Sequence, residues 1–288
     1  MQKLGLNQLK ERILILSPTV QGRLESELKT DDFQLIEKLG QGAFGKVYKA
    51  KSKKTNQLVA LKQMDKQQIK NQGMYKQIQT EVKVMYTLDH PNIIKLYNHF
   101  EEEKSIFLVL EYAGGGQLWK ILREVGRFDE NTVKKYMADI LLAVEYLHSQ
   151  NPAIIHRDIK PENLILSEGR LKLIDFGWSN FKNNERNTYC GTLDYLAPEM
   201  ILEKGHDEKL DIWSLGVLLY ELITGKAPFG VSNLVNDQNE MRRQLEQNIL
   251  QGKINFPNDF PVLAKDLNAS GCRLEFFIKN FLIIIMLK

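Results

Sequence analysis

From Phe33 onward, apolar residues gather into short β-rich runs separated by glycine or by Lys/Asn turns. Residues 33–39, 46–50 and 58–63 read as three strands, and 93–100 and 105–110 as two more. Between the third and fourth, Ile78, Val82 and Met85 recur at helical spacing and predict one helix. After Gly114-Gly115-Gly116 the period lengthens. Val133, Tyr136, Met137, Ile140, Leu141, Val144 and Leu147 form one apolar stripe, and 211–223 is apolar nearly all round, as a buried helix is. Residues 171–174 interrupt this part with a strand-like run. Leu6, Leu9, Ile13 and Leu16 share a helical face, which predicts a short capping helix in an N-terminal extension, 1–32. The expected architecture is α+β and bilobal. A small β-rich N-lobe with one main helix, closed by a hinge, covers 33–113; a larger helical C-lobe covers 114–267; an atypical apolar tail covers 268–288.

Composition narrows the classes of function. Of 288 residues, 43% are hydrophobic and 26% charged, the balance of an ordinary globular chain with room for two lobes. With 39 basic and 36 acidic side chains the net charge is only +3, so no nucleic-acid partner is expected. Two cysteines, Cys190 and Cys272, cannot build a disulfide framework, which points to a reducing compartment, cytoplasmic or nuclear. The apolar stretch 13–16 is too short for a signal core. The tail run 276–287, broken by Lys279 and Asn280, is shorter than the ~20 residues of a membrane span, so no membrane partner is expected either.

Two features of the first lobe suggest phosphate chemistry. Gly40-Gln41-Gly42-Ala43-Phe44-Gly45 lies between two predicted strands, and glycines let backbone N–H groups approach a phosphate. A plain hairpin turn gives the same pattern. A dinucleotide fingerprint would need a helix directly afterwards, whereas Val47-Tyr48-Lys49-Ala50 continues as strand. Then Val59-Ala60-Leu61-Lys62 sets a lysine in an apolar strand, where burial is unfavourable unless the charge is paired. Glu81, on the predicted helix, is a candidate partner. Each of the two alone reads as a surface charge; their order after the glycine loop favours a pair.

His156-Arg157-Asp158-Ile159-Lys160-Pro161-Glu162-Asn163 follows the striped helix, and Asp175-Phe176-Gly177 and Ala197-Pro198-Glu199 come later. In this order and spacing, with the loop and lysine, the set resembles the eukaryotic protein kinases over roughly 33–267. The resemblance implies ATP and Mg²⁺ as cofactors and transfer of the γ-phosphate to a hydroxyl. That reaction depends on alignment and charge neutralisation. Asp158 would then accept the hydroxyl proton, Lys160 neutralise the transferred group, and Asn163 and Asp175 offer hard oxygen ligands to Mg²⁺. Lys62, held by Glu81, would grip the remaining phosphates. Leu39, Gly40, Gly42 and Gly45 would cover the nucleotide. Val47, Ala60 and Leu164 would sandwich adenine, with Leu110 as gatekeeper and Glu111 and Ala113 supplying hinge backbone contacts. His156, Met85, Leu96 and Phe176 resemble the family's internal spine, which Asp211 would anchor; a helix N-cap is the alternative for Asp211.

Trp178-Ser179 after Asp175-Phe176-Gly177, the run Arg186-Asn187-Thr188-Tyr189-Cys190-Gly191-Thr192-Leu193-Asp194-Tyr195, and the hinge Leu110-Glu111-Tyr112-Ala113 resemble Aurora kinases. The hinge continuation Gly114-Gly115-Gly116-Gln117 and the long polar 231–251 depart from them. This resemblance implies a serine/threonine protein kinase with Lys160 in the Ser/Thr-type position. It implies a preference for basic residues before the target, which Glu162 would serve, and protein substrates bearing Ser or Thr. Thr188 would be the activation-loop phosphosite, with Arg157 as its partner and Thr192 as the competing site. An activating partner would dock on the N-lobe beside Tyr75 and Tyr86. Placement at spindle, centrosome or basal body, with a cell-cycle role, follows from the same resemblance.

The end of the chain points elsewhere. The family pattern fades after Ala264-Lys265-Asp266-Leu267, and the arginine expected to pair with Glu199 has no counterpart in place: Arg273 comes too early. The expectation is a C-terminally truncated C-lobe, with apolar surface exposed on the helix over 211–223 and Glu199 left unpaired. The alternative function that follows is an inactive pseudokinase that binds nucleotide or partners.

Overall fold

Alternation of apolar and polar residues, with β-branched and aromatic side chains on the inward positions, builds the first part of the chain into one antiparallel sheet. Its strands are β1 (Phe33–Gly42), β2 (Gly45–Ser52) and β3 (Leu58–Asp65), then β4 (Leu96–Glu101) and β5 (Ser105–Glu111), in the order β1-β2-β3-β5-β4. The computed structural model describes residues 28–42, 45–181, 193–203, 205, 207–231, 237–252, 254, 256–258 and 260. Between β3 and β4 stand α1 (Lys66–Asn71), opened by the Asp65 carboxylate accepting the Gln68 amide, and α2 (Tyr75–Thr87). One sheet face gathers Phe33, Ala50, Val59, Leu61, Phe100, Phe107 and Val109 into a buried cluster, with Leu28 and Tyr97 packed on it. The Phe100 ring stacks at 5.9 Å on Phe33 and 4.7 Å on Phe107. Lys62 and Leu108, opposite one another in the β3–β5 register, face the other way.

The described residues form two compact units: the first runs to Asp89 and resumes over Ile94–Ala113, the second takes His90–Ile93 and continues from Gly114. This division moves one predicted boundary. The strand expected over 93–100 begins only at Leu96, because Ile93 bridges Leu173 and Asn92 donates its side-chain amide to the Leu171 carbonyl at 2.9 Å. Helix α1 was not predicted; six residues with Ile69 alone buried carry no readable period.

The second unit is mainly helical. Its elements are α3 (Leu118–Val125), α4 (Glu130–His148), β6 (Ile154–Ile155), β7 (Leu164–Ser167), β8 (Arg170–Leu173), β9 (Asn180–Phe181), α5 (Pro198–Ile201), α6 (Lys209–Thr224) and α7 (Gln238–Gln251). Strand β6 pairs with β9 and β7 with β8. The Asp129 carboxylate caps α4 through the Asn131 and Thr132 amides, and the predicted stripe is buried along it. Together with the first unit this is the α+β architecture expected. No helix among the described residues is long and apolar enough to cross a membrane.

Two expectations about the end of the chain are corrected. Helix α6 does not present a bare apolar flank: Leu210, Trp213, Leu215, Val217, Leu218, Leu219, Tyr220 and Leu222 are all buried. Trp213 stacks on Phe229 at 5.7 Å, and Tyr220 packs against Phe256 at 5.9 Å and Phe260 at 5.8 Å. Aromatic residues just past α7 therefore supply cover that the sequence reading looked for further along. Glu199 is not without a partner either. The N-terminal helix and the tail lie outside the described residues.

Helices α6 and α7 both end on a left-handed glycine, Gly225 at φ 76° and Gly252 at φ 64°. A Cβ on Gly225 would sit 2.1 Å from the Gly126 carbonyl oxygen, whereas Gly252 has nothing within 4 Å. Gly252→Ala is expected to destabilise by about 1–2 kcal/mol from backbone strain alone, and Gly225→Ala by about 2–4 kcal/mol because a clash is added. Denaturant unfolding of the two variants checks the difference.

Candidate active site

Each unit carries a polar group of its own. In the first, β1 and β2 meet at Gly42 opposite Gly45, with Gly40 opposite Val47. Gly45 is required by packing, since a Cβ there would lie 1.8 Å from the Gln63 carbonyl oxygen. A Cβ on Gly40 or Gly42 would meet nothing within 4 Å among the described residues, so packing there does not demand glycine. Leu39 beside them is exposed. Across the sheet, Val47 stands opposite Lys62, Ala60 opposite Leu110, and Glu111 opposite Val59; buried Ala113 ends the unit. The Lys62 ammonium donates to Glu81 Oε1 at 2.9 Å, and Glu81 is only 2% exposed. Removing the lysine from such a buried pair leaves a poorly compensated charge.

In the second unit the loop after β6 converges on Asp158. Its Oδ2 accepts from Asn163 Nδ2 at 2.8 Å and pairs with Lys160 Nζ at 2.9 Å. Asn163 Nδ2 also donates to the Asp158 backbone carbonyl at 2.8 Å, which turns Asn163 Oδ1 the other way. Asp158 Oδ1 is buried with no hydrogen-bond partner among the described residues. Leu164, fully buried, begins β7, and the Asn163 carbonyl accepts the Ile174 amide at 2.9 Å, tying Asn163 to the approach to Asp175. Arg157 and Asp175 are both left-handed, at φ 68° and 63°, strained conformations that cluster at functional sites. Phe176 is wholly buried and meets His156 edge-on at 4.9 Å.

The backbone of this loop hangs on Asp211. Its carboxylate, itself at zero exposure, accepts the His156 amide at 2.9 Å, the Arg157 amide at 2.8 Å and His148 Nε2 at 2.8 Å. Burial alone would raise this carboxyl; the bond from His148 and the neighbouring histidines outweigh it and hold it below the usual range. Asp211 is therefore not an N-cap: that place belongs to Glu208, and Asp211 lies inside the first turn of α6.

The donor set suits a hard cation. No three His, Cys, Asp or Glu side chains converge among the described residues, which excludes a protein-only cage there. Mg²⁺ is commonly held by one or two carboxylates together with substrate phosphates. Asp175 could supply the carboxylate of such a set and Asn163 a neutral amide oxygen. Thr188 and the loop around it lie outside the described residues.

The protein kinase domain model matches residues 33–275. The Aurora kinase of Schizosaccharomyces pombe is 47% identical over 214 residues, 74% of this chain and 60% of that protein. The Aurora kinase of Candida glabrata is 40% identical over 262 residues, 88% of this chain and 70% of that protein. Aurora kinase B of Danio rerio is 46% identical over 204 residues, 70% of this chain and 63% of that protein. The chain belongs to the Aurora kinases, within the protein kinase family. It spans 60–70% of the length of these three relatives.

Within this Aurora-family chain, three residues escaped the sequence reading. His148 closes α4 and reads as an ordinary helix-end basic residue. Tyr195 donates to Glu221, a bond between residues that share no local motif. Asn92 could have been suspected only as a polar residue beside apolar neighbours. Arg157 Nε donates to the Trp178 carbonyl at 2.6 Å, so the uncommon Trp178 meets the loop through its backbone.

His156 gives a pH prediction. Burial pushes its imidazole below the ordinary value, against the attraction of Asp211 and Asp158. The unfolded chain then binds this proton more strongly than the fold. Stability is complete above about pH 6.5 and falls as pH drops below it, by up to about 1.4 kcal/mol per pH unit for this group. Half-buried His99 and His90 act in the same direction. Unfolding curves between pH 8 and 5 should show the decline; a flat profile would contradict a buried neutral His156.

Proposed function

We propose that the chain is an ATP- and Mg²⁺-dependent protein serine/threonine kinase of Aurora type. The observation that carries this reading is Asp158. One carboxylate oxygen is held by Lys160 and Asn163, and the other is buried and left without a donor. Such an oxygen is where a substrate hydroxyl would place its proton. The hydroxyl oxygen forms a bond to the γ-phosphorus, the bond to the β–γ bridging oxygen breaks, ADP leaves, and the proton passes to Asp158. Lys160 would neutralise the moving phosphoryl group, and Lys62, steadied by Glu81, the remaining phosphates. Asn163 and Asp175 would hold Mg²⁺, which when bound offsets phosphate charge. Gly40 and Gly42, free of internal packing demands, fit backbone contact with phosphate, and Leu39, Val47, Ala60, Glu111, Ala113 and Leu164 the adenine. The pseudokinase alternative drew on an exposed α6 and an unpaired Glu199, and neither is found.

Preference for basic residues before the target fits the acidic surroundings of Glu162. Burial raises the Glu221 carboxyl, and the charges of Glu162 and Asp194 raise it further while the Tyr195 bond opposes them. Two carboxylates whose charges reach a third make a field suited to Arg or Lys. Family membership supports activation through Thr188, an activating partner on the first unit beside exposed Tyr75, and a mitotic role at spindle, centrosome or basal body.

Lys62→Met and Asp175→Asn should each lower phosphate transfer to a basic peptide by roughly 10²-fold or more. Wild-type turnover in either would refute the site. Glu162→Gln should raise the KM for that peptide while sparing the KM for ATP. Mass mapping of active protein should find phosphate on Thr188; full activity in unphosphorylated Thr188→Ala would remove Thr188 from the scheme.

A further inference from the structure

The pair Lys62–Glu81 depends on how α2 is held, and the first unit shows a second hold. Tyr86, near the C-terminal end of α2, has its hydroxyl 2.7 Å from His99 Nδ1 on β4. The two rings meet edge to face at 5.5 Å and 64°. The Asn98 side-chain oxygen lies 3.4 Å from the same hydroxyl. Strand register relates this to the lysine. Lys62 stands opposite Leu108 in the β3–β5 pair, and His99 stands opposite Leu108 in the β4–β5 pair. Lys62, Leu108 and His99 therefore form one row across three strands, with Leu108 fully buried in the middle. Two strand steps span roughly 10 Å. Glu81 and Tyr86 are separated along the helix by roughly 7.5 Å of rise. One helix thus reaches both ends of one row. A β-bulge between Leu96 and Asn98 sets the register that aims His99 at the helix face.

We propose that Tyr86 and His99 are positioning residues, a second anchor that fixes the sheet-facing rotation of α2 and so keeps Glu81 on Lys62. With a single polar hold, a helix of this length can roll about its axis while its apolar residues Ile78, Val84 and Met85 stay covered. Two holds on opposite edges of a row remove that freedom. The consequence for phosphate transfer rests on the kinase reading above; the consequence for Lys62 does not.

The test uses the full chain with Tyr86→Phe, His99→Leu, His99→Gln, Glu81→Gln and the Tyr86→Phe/Glu81→Gln double variant. Two readouts are taken: kcat and KM for MgATP and for a basic peptide, and the rate at which an amine-reactive acylating reagent labels Lys62, followed by mass spectrometry. Tyr86→Phe and His99→Leu are expected to label Lys62 faster and to lower kcat/KM for MgATP by roughly three- to tenfold, the size of one lost hydrogen bond. The peptide KM should stay unchanged. His99→Gln, whose amide can replace the ring nitrogen, should stay near wild type. In the Glu81→Gln background Tyr86→Phe should add nothing. Wild-type Lys62 labelling in Tyr86→Phe and His99→Leu, or full additivity with Glu81→Gln, would overturn the proposal. Faster labelling in a chain that transfers no phosphate would uphold the anchor and refute the kinase reading.

Discussion

The second unit is organised around one buried negative charge. Asp211 has no exposure, and a carboxylate in that position is tolerated only when donors surround it. Two of its donors are the consecutive amides of His156 and Arg157, the third is His148. Pointing two successive amides at one carboxylate bends the chain sharply, and Arg157 takes the left-handed conformation as a result. The next residue is Asp158. Its place thus follows from a helix that is apolar nearly all round and carries this carboxylate wholly out of water. The end of α4 is drawn in as well, through His148. Without Asp211 the two amides would be left without their acceptor, and the loop would lose its reason to turn where it does.

Legibility from the sequence followed the range of the interactions. Strands β1, β2, β3 and β5, helix α2 and the stripe of α4 could be read because periodicity is local. Asp158, Asn163 and Asp175 could be singled out because they stand in an order and spacing that resembles the protein kinases. The spacing could not say which oxygen of Asp158 stays without a donor. Nor could it place Ile93 with Leu173 instead of with the strand that follows, since that choice is made by residues far along the chain. The cover of α6 was misjudged for the same reason. Tyr220 meets Phe256 and Phe260, and no local pattern announces that encounter.

The glycines show how packing separates two meanings of one motif. In the hairpin Gly40, Gly42 and Gly45 look equivalent. Gly45 answers to the neighbouring strand, where a methyl group would strike the Gln63 carbonyl. A methyl group on Gly40 or Gly42 would meet none of the described residues. Glycine raises the conformational entropy lost on folding, so its presence at two positions with open space calls for a reason outside the chain. Close approach of a phosphate, as proposed above, is such a reason; packing against β3 accounts for Gly45 alone.

The buried carboxylates can be sorted the same way, by how completely each is satisfied. Asp211 has both oxygens engaged, by two amides and an imidazole, and has no capacity left for chemistry. Glu81 is engaged by the Lys62 ammonium, a cation that the proposed function sets against phosphate. Of these three, only Asp158 has a buried oxygen lacking a donor among the described residues. Leaving such an atom unsatisfied costs about 1–3 kcal/mol or more. A fold that fills every acceptor of Asp211 is able to fill this one too, for a second donor needs only one nearby hydroxyl or amide. That it does not leaves this oxygen open to a donor from outside the chain, and under the function proposed above a substrate hydroxyl would be that donor.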